Sequence, residues 1–294
     1  MTIHTIGCSF TNWVYPTWSD YIDFHYYSSV VNLGWPGAGN DIIKKHLYTI
    51  DQSDHVIIMF SGYDRLTVGV DEGFISNKPT IIKNFNNDKQ VFFKNNHPQQ
   101  GFARSKHSGN DYSLFHLIYN MLENILDCQN ILTSKRIDYT FCLWQSINNK
   151  QPGLRALDPN IITKFEYENF TQNPIFKKVL DSIDMTKFLQ PLDFGIWEHL
   201  ISKKSLVLAQ SPHDLHPSSL ANFDYFRTYM KSILDDKFDP KNNLQELEKK
   251  AKVFSEYYAK LSPIEMSSIF DLEISKSSDM DDAKKYFFGI WDKE

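Results

Sequence analysis

From Val56 to Phe60 the chain reads Val-Ile-Ile-Met-Phe without a polar break. A strand with one wet face alternates apolar and polar residues. An unbroken apolar series of this length instead suits a strand covered on both faces, as strands of parallel sheets are. The third strand is therefore placed at His55–Phe60. Two shorter β-branched segments precede it, Thr2–Ile6 and Ser29–Leu33. Between them Trp18, Tyr21 and Ile22 fall at helical spacing. After Asn40, which is placed to cap a helix, Ile42, Ile43, Leu47 and Ile50 do the same. Strand, helix, strand, helix, strand is the rhythm of an α/β fold with parallel strands and right-handed crossovers.

Residues 66–112 break that rhythm with Asn, Lys, Gly and His. Thr80–Asn84 and Gln90–Lys94 predict a hairpin around Asn86-Asn87-Asp88. The segment reads equally as a surface insertion and as a wall of a pocket, because it springs from a strand's carboxyl end. A helix is predicted from Tyr112 to Asp127, a fourth strand over Ile137–Trp144 and a short helix near Asn173–Leu180. Ser205–Ala209 is a short strand or a helix end. The segment after Pro217 carries Leu220, Phe223, Phe226, Tyr229, Met230 and Ile233 at helical spacing. The polar stretch Asp235–Asn243 marks a domain edge, giving a main domain over 1–238 with an insertion at about 66–112, and a C-terminal helical extension over 239–294. Ser262-Pro263-Ile264-Glu265 has the form of a capping box.

The formal net charge of −5 argues against a surface spread with nucleic-acid contacts. Three cysteines, Cys8, Cys128 and Cys142, make no secreted-type disulfide framework. No apolar run is long enough to span a membrane, and no basic-then-apolar leader opens the chain, so a cytoplasmic protein is expected.

Chemistry-bearing residues gather at predicted strand ends, where ligands of open α/β sheets bind. Gly7-Cys8-Ser9-Phe10-Thr11 follows the first strand, Gly34-Trp35-Pro36-Gly37 the second and Ser61-Gly62-Tyr63-Asp64-Arg65 the third. A late loop reads His213-Asp214-Leu215-His216-Pro217. Ser9 is the candidate nucleophile and His216 the base that would take its proton. The amides of Ser9 and Gly37 can aim at a developing oxyanion. Ser9 also reads as a plain turn residue and His216 as a loop histidine. Nothing marks the Cys8 thiol as activated. His213, Asp214 and His216 have metal-donor chemistry, but no third anchoring segment accompanies them, so no metal or other cofactor is expected. His199, on a predicted helix, reads as structural. Trp13, Trp18, Trp35 and Tyr63 suit either stacking on a sugar ring or core packing.

The order of these blocks resembles the SGNH hydrolases, also called GDSL-type esterases, over roughly residues 1–230. Gly7-Cys8-Ser9-Phe10-Thr11 is similar to the family's Gly-Asp-Ser-x-Thr. Asn32-Leu33-Gly34-Trp35-Pro36-Gly37 is similar to its second block, Ser61-Gly62-Tyr63-Asp64 stands in place of Gly-x-Asn-Asp, and His213–Pro217 resembles Asp-x-x-His-Pro. The resemblance implies a three-layer α/β/α sandwich, SGNH- or flavodoxin-like, with a C-terminal helical appendage. It implies a serine esterase acting on a small acyl ester, for instance O-acetyl on a carbohydrate. Ser9, Gly37 and Tyr63 would line the oxyanion hole, and Trp35, Asp64 and Arg65 would touch substrate. Three departures stand out. Cys8 replaces an aspartate, Tyr63 an asparagine, and His213 the aspartate that orients the base, with Asp214 one residue late. Such variants resemble a divergent branch common in phage-encoded and environmental sequences, whose members would be virion-associated if phage-encoded. The same departures leave open a catalytically degenerate carbohydrate-binding or structural module, and acyl transfer to a sugar is a third reading.

Overall fold

β1 (Thr2–Ile6) is the strand on which the sheet is built. It pairs in parallel with β2 (Ser29–Asn32) on one side and with β3 (His55–Phe60) on the other. The computed structural model describes residues 1–13, 15–35, 38–63, 65–69, 80–83, 89–92, 100–104, 114–147, 173–202 and 216–260. Three short strands follow β3 and a fourth closes the insertion: β4 (Arg65–Gly69), β5 (Thr80–Lys83), β6 (Lys89–Phe92) and β7 (Gln100–Arg104). β5 and β6 pair antiparallel with Thr80 opposite Phe92, the hairpin predicted there, and β4 pairs antiparallel with β7. β8 (Tyr139–Leu143) then returns to the main sheet beside β3, again parallel.

The main sheet thus has four parallel strands in the order β2-β1-β3-β8, flanked by helices: the parallel α/β fold the rhythm predicts, in the sandwich form the resemblance implies. Every residue of β3 is buried, as expected of a strand covered on both faces. α1 (Trp18–His25) joins β1 to β2, and α2 (Asn40–His46) joins β2 to β3. The two connections run in opposite directions across the sheet, so right-handed crossovers send their helices to opposite faces. The remaining helices divide accordingly. α3 (Leu114–Lys135) packs on α2 and on α4 (Pro174–Ser182). α5 is Ile196–Ser202. α1 packs on α6 (Ser219–Tyr225), the π-helical turn Phe226–Met230 that continues it, and α8 (Leu244–Lys260), with α7 (Lys231–Leu234) between.

The caps explain where these helices begin. Thr17 and Asp20 form a reciprocal capping box at α1. Asn173 accepts from the Ile175 amide ahead of Pro174. α3 runs eight residues beyond its predicted end at Asp127, because Cys128 and Leu132 carry on its buried face past the polar residues between them. The chain after α7 is tied back to α1: the Tyr27 amide donates to the Asp239 carbonyl at 2.9 Å, and Lys241 to His25 at 2.6 Å. Leu247 and Ala251 of α8 belong to the common core. The part of the predicted C-terminal extension up to Lys260 is therefore packed against the main body. The predicted segment Ser205–Ala209 and the capping-box motif at Ser262–Glu265 lie outside the described residues. Among the described residues no helix is long and apolar enough to cross a membrane.

Candidate active site

β1 and β3 are neighbours in the sheet, yet the chain leaves β1 on one side toward β2 and returns on the other to β3. That reversal opens the crevice in which α/β sheets bind ligands, at the carboxyl ends of the two strands. Ser9 stands there. After β1 the carbonyl of Cys8 accepts from the amides of Thr11, at 2.9 Å, and Asn12, at 3.2 Å, which folds residues 8–12 into a turn with Ser9 near its apex. Gly7 is needed at the entry. A Cβ on it would lie 2.0 Å from Thr11 Oγ1 and 2.9 Å from the Met59 carbonyl of β3.

The turn is laced to its neighbours by side-chain amides. Asn12 Nδ2 donates to the Gly34 carbonyl at 3.0 Å, and Asn32 Nδ2 to the Thr11 carbonyl at 3.0 Å. Thr17 Oγ1 donates to the same carbonyl at 2.6 Å, and the Trp35 amide donates to Gly7 at 2.9 Å. The loop after β3 is fixed by Asn40. Its Oδ1 accepts from the Ser61 amide at 2.8 Å and its Nδ2 donates to the Ser61 carbonyl at 3.1 Å. The predicted capping role of Asn40 is thus corrected: Gly39 occupies the cap, and Asn40 turns inward to satisfy backbone groups of a loop that sequence proximity does not reveal. Beyond β8, the Glu198 carboxylate accepts from the amides of Ser146, at 2.9 Å, and Gly195, at 2.8 Å. Burial raises the Glu198 carboxyl above its ordinary value, although these amides pull the other way.

His216 arrives from the far end of the chain. Immediately after it Ser218 caps α6, accepting from the Ala221 amide at 3.1 Å. Asn222 on α6 accepts from the Trp18 amide at 3.2 Å and donates to the Pro217 carbonyl at 3.0 Å. The Ser219 and Tyr21 hydroxyls meet at 2.6 Å. These contacts dock α6 on α1 and set the imidazole over the turn. Ser9 Oγ lies 2.7 Å from His216 Nε2, across a sequence separation of 207. With the ring proton on Nδ1, the hydroxyl donates to Nε2, which is the geometry a general base needs before it takes that proton. Ser9 is 3% exposed. The Trp13 indole stacks on the imidazole, with centroids 3.7 Å apart and planes 21° from parallel, and the Phe10 ring lies 5.3 Å away.

The predicted residues fare differently. Ser9 and His216 are brought together. Tyr63 is 4% exposed and belongs to the hydrophobic core cluster. Gly37, Asp64, His213 and Asp214 lie outside the described residues, and Arg65 is the first residue of β4. Of the four aromatics weighed as a sugar platform, Trp18 is wholly buried, Tyr63 is in the core and Trp13 covers His216, while Trp35 keeps partial exposure. Cys8 is fully buried. His199 is buried with Nε2 2.8 Å from Asp224 Oδ2 and Nδ1 3.1 Å from the Tyr229 hydroxyl, so both ring nitrogens serve the packing of α5 on α6 and its continuation. Among the described residues no group of three or more His, Cys, Asp or Glu side chains could hold a metal ion.

In the sequence Trp13 suits a sugar platform or the core; in the structure it covers the imidazole. The bracing amides of Asn12, Asn32 and Asn222 carried no local signal at all. No protein-family model matches the chain, and no curated protein matches it.

Proposed function

We propose that the chain is a serine ester hydrolase of the SGNH type, with Ser9 as nucleophile and His216 as general base. The observation that carries this reading is the 2.7 Å approach of Ser9 Oγ to His216 Nε2. Its place at the carboxyl edge of a parallel sheet, beside the strand-order reversal, supports it. In this reading His216 Nε2 takes the hydroxyl proton as Ser9 Oγ bonds to the ester carbonyl carbon. The oxyanion is received by the Ser9 amide together with the Gly37 amide. His216 then gives the proton to the departing alkoxide, leaving an acyl-serine and an alcohol. Water, deprotonated by the same imidazole, releases the acid and restores Ser9. The substrate class is a small acyl ester. An O-acetylated sugar draws its support from the partly exposed Trp35, since Trp13, Trp18 and Tyr63 are committed elsewhere.

The test is covalent labelling with a fluorophosphonate probe alongside hydrolysis of p-nitrophenyl acetate. Labelling should map to Ser9, vanish in Ser9→Ala and fall by at least about 100-fold in rate in His216→Ala. Absence of labelling in the native chain, or labelling that survives Ser9→Ala, overturns the reading and favours a non-catalytic module. A competing sugar acceptor that captures the acyl group assigns transfer rather than hydrolysis.

A further inference from the structure

One face of the His216 imidazole is covered. The indole of Trp13 lies on it with centroids 3.7 Å apart and planes 21° from parallel. Trp13 is held in turn by the segment that carries Ser9. It follows Asn12, whose amide closes the turn on Cys8 at 3.2 Å and whose side chain is tied to Gly34 at 3.0 Å. A second ring, Phe10, lies 5.3 Å from the imidazole at 43° and is propped on Trp144 at 4.9 Å. The torsion that swivels an imidazole is broad, so nothing intrinsic to a histidine keeps one nitrogen aimed at one atom. An indole in contact with the ring face supplies that constraint, because the ring cannot turn out of its plane without entering the indole.

We propose that Trp13 is a positioning residue for His216. On the reading of Ser9 and His216 as nucleophile and base, it holds Nε2 on the serine hydroxyl and receives the positive charge that appears when the proton arrives. An aromatic face attracts a cation more strongly than a neutral ring, so this second contribution grows as the imidazolium forms. Both contributions act on the chemical step more than on substrate capture. Trp13 therefore bears on kcat, with KM nearly untouched.

The test compares Trp13→Phe and Trp13→Leu in the full chain, with Ser9→Ala and His216→Ala as references. Trp13→Leu should lower kcat for p-nitrophenyl acetate by about 10- to 100-fold, the scale of a misplaced catalytic group. Its KM should stay within about twofold. Trp13→Phe, which keeps an aromatic face, should stay within about fivefold of the native kcat. The His216 ring-proton resonances, assigned by their loss in His216→Ala, should be shifted upfield by the indole. They should move downfield in Trp13→Leu and only part of the way in Trp13→Phe. Equal losses in the two variants, an unchanged kcat in Trp13→Leu, or a KM that rises as far as kcat falls would each overturn the proposal. A native chain that takes no fluorophosphonate removes the hydrolase reading on its own. The ring-proton shifts then still decide whether Trp13 holds the imidazole, and shifts that ignore Trp13→Leu overturn it.

Discussion

Gly7→Ala tests the turn that carries Ser9, and its magnitude follows from three contacts. The added methyl would lie 2.0 Å from Thr11 Oγ1, 3.0 Å from Thr11 Cβ and 2.9 Å from the Met59 carbonyl oxygen. Two belong to one side chain. The third belongs to the backbone of β3, which is paired on both sides and cannot yield. Overpacking of a tight site costs about 1–3 kcal/mol, and contacts on two separate elements place this variant near about 3 kcal/mol. Thr11→Ala alone deletes a hydroxyl that is buried without a hydrogen-bond partner among the described residues. It should cost about 1 kcal/mol or less. In the double variant the 2.0 Å contact vanishes and the two near 3 Å remain. The pair should then lose only about 1–2 kcal/mol, less than Gly7→Ala by itself. Urea unfolding of the four proteins at a common slope measures this cycle. Strict additivity, with the double variant near about 4 kcal/mol, would refute the claim that the Thr11 hydroxyl is what excludes a side chain at Gly7. Fluorophosphonate labelling should follow the same order, lost in Gly7→Ala and partly regained in the double variant.

Asn40→Ala should cost about 2–4 kcal/mol by urea unfolding, since it strands a buried amide and carbonyl of Ser61 at once. Asn40→Asp keeps the bond from the Ser61 amide and should fall between. Asn222→Ala should loosen α6 from α1, costing about 1–3 kcal/mol and lowering the rate of labelling at Ser9 although it lies outside the proposed Ser9–His216 pair. A labelling rate equal to the native one would show that His216 is positioned without it. Burial, then the Lys237 ammonium, holds His55 down to about 4 from its ordinary 6.5, with Asp138, Lys187 and Thr140 completing its surroundings. Between those two values the unfolded chain binds a proton that the folded chain refuses. This contribution to stability is therefore complete above about pH 6.5 and declines as pH falls toward 4, by about 2–3 kcal/mol. His55→Gln should flatten that decline in urea midpoints taken at pH 7 and 4.5, and an unchanged slope would count against it.

What the sequence disclosed was whatever is written locally. The apolar run at 56–60, the alternation at 2–6 and the helical spacing of Trp18, Tyr21 and Ile22 each record burial in neighbouring residues, and each element formed where expected. The sequence places the end of α3 too early because Asp127, Gln129 and Asn130 look like an exit, while the buried Cys128 and Leu132 lie one helical turn apart beneath them. Asn40 departs from its expected role for a related reason. An asparagine ahead of an apolar helix signals a cap, but its actual partner, Ser61, is 21 residues away and leaves no mark near it. Ser9 and His216 were legible as a pair only through the order of motifs, since spacing carries no information at a separation of 207. Trp13 shows the limit from the other side. Its aromatic character was plain, but whether it met a ligand, the core or the imidazole depended on how the last third of the chain came home.

The distance along the chain between hydroxyl and imidazole also sets an order of events during synthesis. β1, α1, β2, α2 and β3 lie within the first sixty residues and hold the Ser9 turn together among themselves. The 207 residues that separate Ser9 from His216 take about 10–40 s to add at ribosomal speeds of roughly 5–20 residues per second. Throughout that interval the nascent protein carries its serine without the histidine opposite it. A product cut short between β3 and His216 would keep the residues of the Ser9 turn and lack the imidazole that stands opposite it.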